Sequence, residues 1–303
     1  KRLRPIALGP FDYDAENYTT SLWIMEGFTA YYDNLILRRS NFLTETSYLQ
    51  ALVNDINAVE NRYGSEIQSA AEASFDAWIK YYRPNENSVN TTVSYYNKGA
   101  LLGMLLDLKI IAATQGEKRL DDVLKAAYET FYVKKKRGFE TPELQALIEE
   151  IAGTSVADIF EAAHSVGPLD YNRYLNAVGY ELVDYNEGRD VPELGFSTSV
   201  NDGRIMVTSV SRGTGAWDGG INVRDEVIAI NGERLDTGGK ELSRIMQAAA
   251  VGDVLEVLVS RDGRLRELTV TLKQDTKGAF NIVPLQNATS AQQKLGEIWL
   301  SLQ

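Results

Sequence analysis

A chain of 303 residues has room for two hydrophobic cores, and 44% hydrophobic with 24% charged residues is the composition of a folded globular protein. The formal charge of -11 argues against a nucleic-acid-binding surface, which needs a basic face. With no cysteine and one histidine, His164, the chain excludes disulfides, thiolate metal sites and any zinc site built from two of its own histidines.

No apolar run is long enough to span a bilayer, so no membrane partner is expected, and no signal peptide is visible. Residues 1–18 read as irregular, broken by Pro5, Gly9 and Pro10. Leu22, Met25, Phe28 and Tyr32 then recur at near-helical spacing, with Thr20 or Ser21 as the cap of an amphipathic helix. Glu26 lies among these apolar neighbours, a costly place for a carboxylate unless it is paired or ligates a metal. The spacing leaves a second reading open, a solvated or salt-bridged glutamate at the helix edge.

A helical pattern runs from Leu43 to about Ser74, with Thr44 or Ser47 as cap, and a polar loop follows over 83–92. The stretch from Val93 to Asp107 is apolar nearly all round in its second half, the mark of a helix inside a bundle, with Tyr95 and Tyr96 at its entry. Helical patterns continue over 117–134, 141–151 and 154–165. The basic run Lys134–Arg137 reads as a solvated helix end. His164, far from the other candidates, reads as a surface or packing residue.

After Gly167-Pro168 the character changes. Strands are predicted at Arg204–Val210, Glu226–Ile230, Val254–Ser260 and Leu265–Leu272, with a hairpin signal at Asp262-Gly263, a helix over 240–250 and a last one over 289–302. Glu193-Leu194-Gly195-Phe196 and the run from Ala216 to Gly232 resemble a PDZ domain. The resemblance implies that Leu194, Gly195 and Phe196 form a carboxylate-binding loop, whose backbone N–H groups make an anion site beside a strand edge that a peptide extends. Glu193 stands where the family has glycine and adds negative charge there.

The segments Lys1–Pro5, Leu8–Tyr13, Leu22–Phe28 and Tyr95–Gly99, taken with this domain order, are similar to the M61 glycyl aminopeptidase family, gluzincin metallopeptidases with a C-terminal PDZ domain. The resemblance implies that Glu26, in Trp-x-x-Glu-Gly-Phe, is the third zinc ligand, and that Tyr96, in Tyr-x-Lys-Gly, stabilises the oxyanion. A hydrogen bond at that oxygen is worth roughly 2.7–4 kcal/mol. Paired tyrosines at a helix start also serve as packing, and Tyr95 takes the role if the register is one residue off.

The expected fold is multidomain α and β: a helical gluzincin-type bundle over 1–168, a connector over 169–192, a PDZ-like β-rich domain over 193–275 and a tail over 276–303. The expected function is zinc aminopeptidase-like hydrolysis of peptides with small N-terminal residues such as glycine. The family's two zinc histidines and general base would lie before Lys1, so this chain alone is expected to hold no zinc and to be inactive. The alternatives are a PDZ-type module capturing peptide or protein C-termini on a helical scaffold, and a regulatory chain without catalysis. Self-association is expected through apolar surface beside Met25 and Phe28. Bacterial cytoplasm and periplasm both stay open as compartments.

Overall fold

The computed structural model describes residues 2–301; Lys1, the first residue of the opening motif, and Leu302, the expected end of the last helix, lie outside the described residues. Along the chain come helices α1 (Leu22–Arg39), α2 (Glu45–Glu60), α3 (Ala70–Phe75), α4 (Ser88–Thr91), α5 (Tyr95–Ala113), α6 (Leu120–Ala127), α7 (Thr141–Ala152), α8 (Ala157–His164) and α9 (Asn172–Leu175). Strands β1 (Tyr180–Asp184), β2 (Pro192–Glu193), β3 (Phe196–Asn201) and β4 (Arg204–Val210) lead to α10 (Gly215–Asp218), β5 (Glu226–Ile230), β6 (Glu233–Arg234) and α11 (Lys240–Ala248). The chain closes with β7 (Val254–Arg261), β8 (Arg264–Thr271), β9 (Lys273–Gln274), β10 (Phe280–Pro284) and α12 (Ser290–Leu300).

These elements form two compact units. The first holds the chain up to Arg83, residues Thr92–Tyr185 and the chain from Gly278 onward; the second holds Pro84–Thr91 and Asn186–Lys277. Residues 169–185 and those after Gly278, read from the sequence as connector and tail, therefore pack into the helical unit. There β1 and β10 pair antiparallel, and Trp299 of α12 is fully buried.

The helical unit is built around α5, buried on nearly every face as its composition predicts. Helix α1 crosses it where no side chain intervenes. A Cβ on Gly27 would overlap the backbone of Gly99, and a Cβ on Gly99 would overlap the carbonyl of Trp23. Only glycine lets two helix backbones approach so closely. Beside this contact the Trp23 ring packs edge-on against Phe28 and Phe160. Phe28, expected beside an exposed apolar face, is buried in the core, and Met25 is half-buried.

Further along α1 and α5 a polar hub is sealed inside. Asp107 accepts from the Tyr31 hydroxyl at 2.7 Å and the Leu120 amide at 2.8 Å, and Arg39 lies 3.7 Å away. The Trp299 indole donates to the Tyr31 oxygen at 2.8 Å, and Arg39 donates to the Trp299 carbonyl at 3.2 Å. Burial pushes the Asp107 carboxyl up, and Arg39 opposes it. These bonds tie α1, α5 and α12 together through groups too costly to bury unpaired.

Local chemistry accounts for most boundaries. Thr44 caps α2 through the Ser47 amide, and Gly153 ends α7 in the left-handed region. Ser21 sits at the start of α1 without a side-chain capping bond; its hydroxyl meets that of Thr141 at 3.1 Å. The helix predicted from Leu43 to Ser74 is broken instead. Gly64 lies against the Thr92 backbone, where no side chain fits, and Arg62 donates to the Thr92 carbonyl at 2.7 Å. The final α turn predicted up to Lys134 is a π-helix over Tyr128–Lys134, and Lys135 and Arg137 of the basic run pair with Glu143.

The second unit is an antiparallel sheet in the order β3-β4-β5-β7-β8, with β6 against β5. Asp262 and Gly263, both at positive φ, make the turn that joins β7 to β8. Buried Asp225 holds another turn, accepting from the Asn222 amide at 2.8 Å and twice from Arg261 at 2.7 Å. Residues 84–91 of the predicted polar loop contain α4 and belong to this unit. Its buried Asn90 donates to the Val210 carbonyl and accepts from the Arg212 amide, each at 2.8 Å.

Replacing Gly99 by alanine should lower stability. Overpacking against backbone costs about 1–3 kcal/mol, more than the ~1 kcal/mol that alanine adds to helix propensity. Thermal unfolding should show a midpoint several degrees lower; an unchanged midpoint would mean that the two helices do not meet there.

Candidate functional site

The close contact of α1 with α5 places two of the predicted residues. Glu26 precedes Gly27, and Tyr96 lies one turn before Gly99. Both side chains are half-buried, and the Glu26 charge is felt at the Tyr96 hydroxyl. Burial first, then neighbouring groups that include Glu26, raise Tyr96 well above the ordinary phenol range, so it holds its proton at neutral pH. Among the described residues the Glu26 carboxylate has no hydrogen bond or ion pair of its own. Of the two helix-edge readings considered from the sequence, the salt bridge is absent among the described residues, and the half-exposed carboxylate is consistent with a solvated one.

The entry of α5 is fixed from several sides. Ser94 caps it through the Asn97 amide, and the Asn97 side chain donates to Asp55 of α2 at 2.7 Å. Lys98 turns inward, fully buried, and donates to the Ser165 carbonyl at 3.1 Å. Burial pulls its amine down and the nearby Glu60 opposes this. Its place in the Tyr-x-Lys-Gly motif is structural, not part of the surface that Glu26 and Tyr96 share.

Sequence reasoning missed the rest of the aromatic wall. Tyr81 and Tyr82 join Tyr95 and Tyr96: Tyr95 and Tyr96 stack at 4.7 Å, and Tyr81 lies 4.9 Å from Tyr95. The Tyr95 hydroxyl donates to the Tyr82 oxygen at 3.1 Å, and the Tyr82 and Tyr96 oxygens are 3.3 Å apart. The one signal was a second Tyr-Tyr pair just before the polar loop.

Among the described residues no three His, Cys, Asp or Glu side chains come together as a metal site. His164, at the end of α8, is solvent-exposed. A catalytic zinc takes three protein ligands, so Glu26 and its surroundings do not by themselves fit one.

In the second unit Leu194, Gly195 and Phe196 lead into β3, whose outer edge has no partner strand among the described residues. Leu194 and Phe196 lean on the core of that unit. Gly195 adopts φ 85°, and a Cβ there would overlap the Thr214 side chain; its carbonyl accepts from the Ser211 amide at 2.8 Å. The charge of Glu193 is answered by an ion pair with Lys277. The departure from the family's glycine thus leaves no free negative charge at that position.

The helical unit thus carries Glu26 and Tyr96 on two crossing helices, and the β unit has an open strand edge. Residues 1–102 match the M61 glycyl aminopeptidase family, and residues 192–272 match the PDZ domain. The chain therefore carries M61 glycyl aminopeptidase sequence followed by a PDZ domain. Its whole length superposes on the crystal structure of an aminopeptidase N family protein from Idiomarina loihiensis, with a TM-score of 0.88 and 26% identity, and covers 52% of that chain. It is also 32% identical over 128 residues to the serine protease Do-like HtrA of Bacillus subtilis (strain 168), over 42% of this chain and 28% of that protein. The chain spans about half, or less, of the length of these two proteins.

Alanine at Gly195 should cost roughly 1–2 kcal/mol for the left-handed backbone, with further loss from the Thr214 overlap. Denaturation of the second unit should shift to lower urea. Full stability in Gly195→Ala would contradict the strained-loop geometry.

Proposed function

We propose that this chain contributes part of the site of a zinc aminopeptidase acting on peptides with small N-terminal residues such as glycine. In this reading the first unit is the C-terminal part of a gluzincin catalytic domain. Glu26 supplies one metal ligand, and the remaining ligands and the general base come from residues other than those described. Tyr96 gives its hydroxyl proton in a hydrogen bond to the carbonyl oxygen of the scissile peptide as negative charge grows there.

The observation that carries this reading is the pairing of an unpartnered, half-buried carboxylate with a protonated phenol across a helix contact that permits no side chain. An unpartnered carboxylate on a rigid helix is the kind of oxygen ligand that a catalytic zinc takes. The match of residues 1–102 to the M61 glycyl aminopeptidase family supports it. With no three-ligand cluster among the described residues, the chain alone is proposed to bind no stoichiometric zinc and to be inactive.

The second unit favours an additional reading, capture of peptide or protein C-termini. Its support is the PDZ match and the unpaired edge of β3 beside Leu194, Gly195 and Phe196.

Zinc content and hydrolysis of a glycyl anilide, measured on this chain and on a longer peptidase chain that adds a two-histidine helix, test the proposal. The longer chain should hold about one zinc and cleave, and Glu26→Ala should abolish both. If neither chain binds metal, the peptidase reading falls and peptide capture by the PDZ domain becomes the better account.

A further inference from the structure

The three converging phenols have a direction. A tyrosine hydroxyl carries one proton and two acceptor lone pairs. Tyr95, fully buried, gives its proton to the Tyr82 oxygen at 3.1 Å. The proton of Tyr82 is then available to the Tyr96 oxygen at 3.3 Å. We propose that Tyr82 is a positioning residue: it accepts from Tyr95 and donates to Tyr96, which leaves the Tyr96 O–H free to point at a substrate carbonyl oxygen. This rests on the reading of Tyr96 as the oxyanion donor and adds the group that aims it.

Bonds in a chain polarise one another, so a phenol that accepts a hydrogen bond becomes a better donor. Tyr82 itself sits in the turn segment 76–83, 59% exposed, with its ring against Tyr81. Packing alone does not require its hydroxyl.

The test is Tyr82→Phe, which keeps the ring and removes the relay. On this chain, with tyrosines labelled at Cζ and assigned through Tyr95→Phe and Tyr96→Phe, both the Tyr95 and Tyr96 resonances should move while those of Tyr31 and Tyr48 stay. Hydroxyl hydrogen exchange should accelerate at Tyr95, which loses its acceptor, and stay unchanged at Tyr96. Acceleration at Tyr96 would show that Tyr96 donates to Tyr82, and a stationary Tyr96 resonance would show no bond; either overturns the proposal. In a hydrolytically competent peptidase containing these residues, Tyr82→Phe should lower kcat roughly 10-fold with KM unchanged, and add no loss to Tyr96→Phe. Full kcat in Tyr82→Phe with a defective Tyr96→Phe overturns the positioning role alone. Full kcat in Tyr96→Phe overturns the oxyanion reading and this inference with it.

Discussion

Everything proposed for the helical unit depends on the place where α1 and α5 touch backbone to backbone. Gly27 and Gly99 remove the side chains that would hold two helices some 8–10 Å apart. The residues next to them, Glu26 on one helix and Tyr96 one turn earlier on the other, are thereby brought within electrostatic reach. A carboxylate and a phenol on flexible loops could not be held in fixed relation so cheaply. Two rigid helices locked by a contact that tolerates no Cβ hold them with little freedom to lose.

The same two helices are tied to the end of the chain by the buried hub of Asp107, Tyr31, Arg39 and Trp299. Residues after Gly278 thus complete the core of the helical unit, although they follow the whole β unit in sequence. A buried hub of this kind resists dissection. Removing one partner leaves another charge or hydroxyl without water and without a bond. The N-terminal and C-terminal parts of the chain are in this sense one folding unit, with the PDZ domain carried between them as a separate core.

Much of this was legible in the sequence, and what was missed has physical reasons. The apolar run after Tyr96 announced a buried helix, and the Asp262-Gly263 turn announced the hairpin it makes. The strands Arg204–Val210 and Glu226–Ile230 fall where alternation places them. Glu26 and Tyr96 were found by motif, while their juxtaposition depends on a glycine contact between segments some seventy residues apart, which no local pattern encodes. Tyr82 was invisible because its role lies in its hydroxyl partners. The packing of 84–91 into the β unit through Asn90 was hidden for a similar reason: a polar stretch reads as loop until its side-chain bonds are known. Glu193 looked unfavourable beside a carboxylate site because its partner Lys277 lies far along the chain.

The central claim is that Glu26 and Tyr96 are two parts of one peptidase site. Its most direct test is the crystal structure of a competent peptidase chain containing these residues, bound to a phosphinic analogue of a glycyl peptide. The account predicts anomalous zinc density on the Glu26 carboxylate and a phosphinyl oxygen within hydrogen-bond distance of the Tyr96 hydroxyl. An analogue seated elsewhere, or zinc held without Glu26, would contradict it.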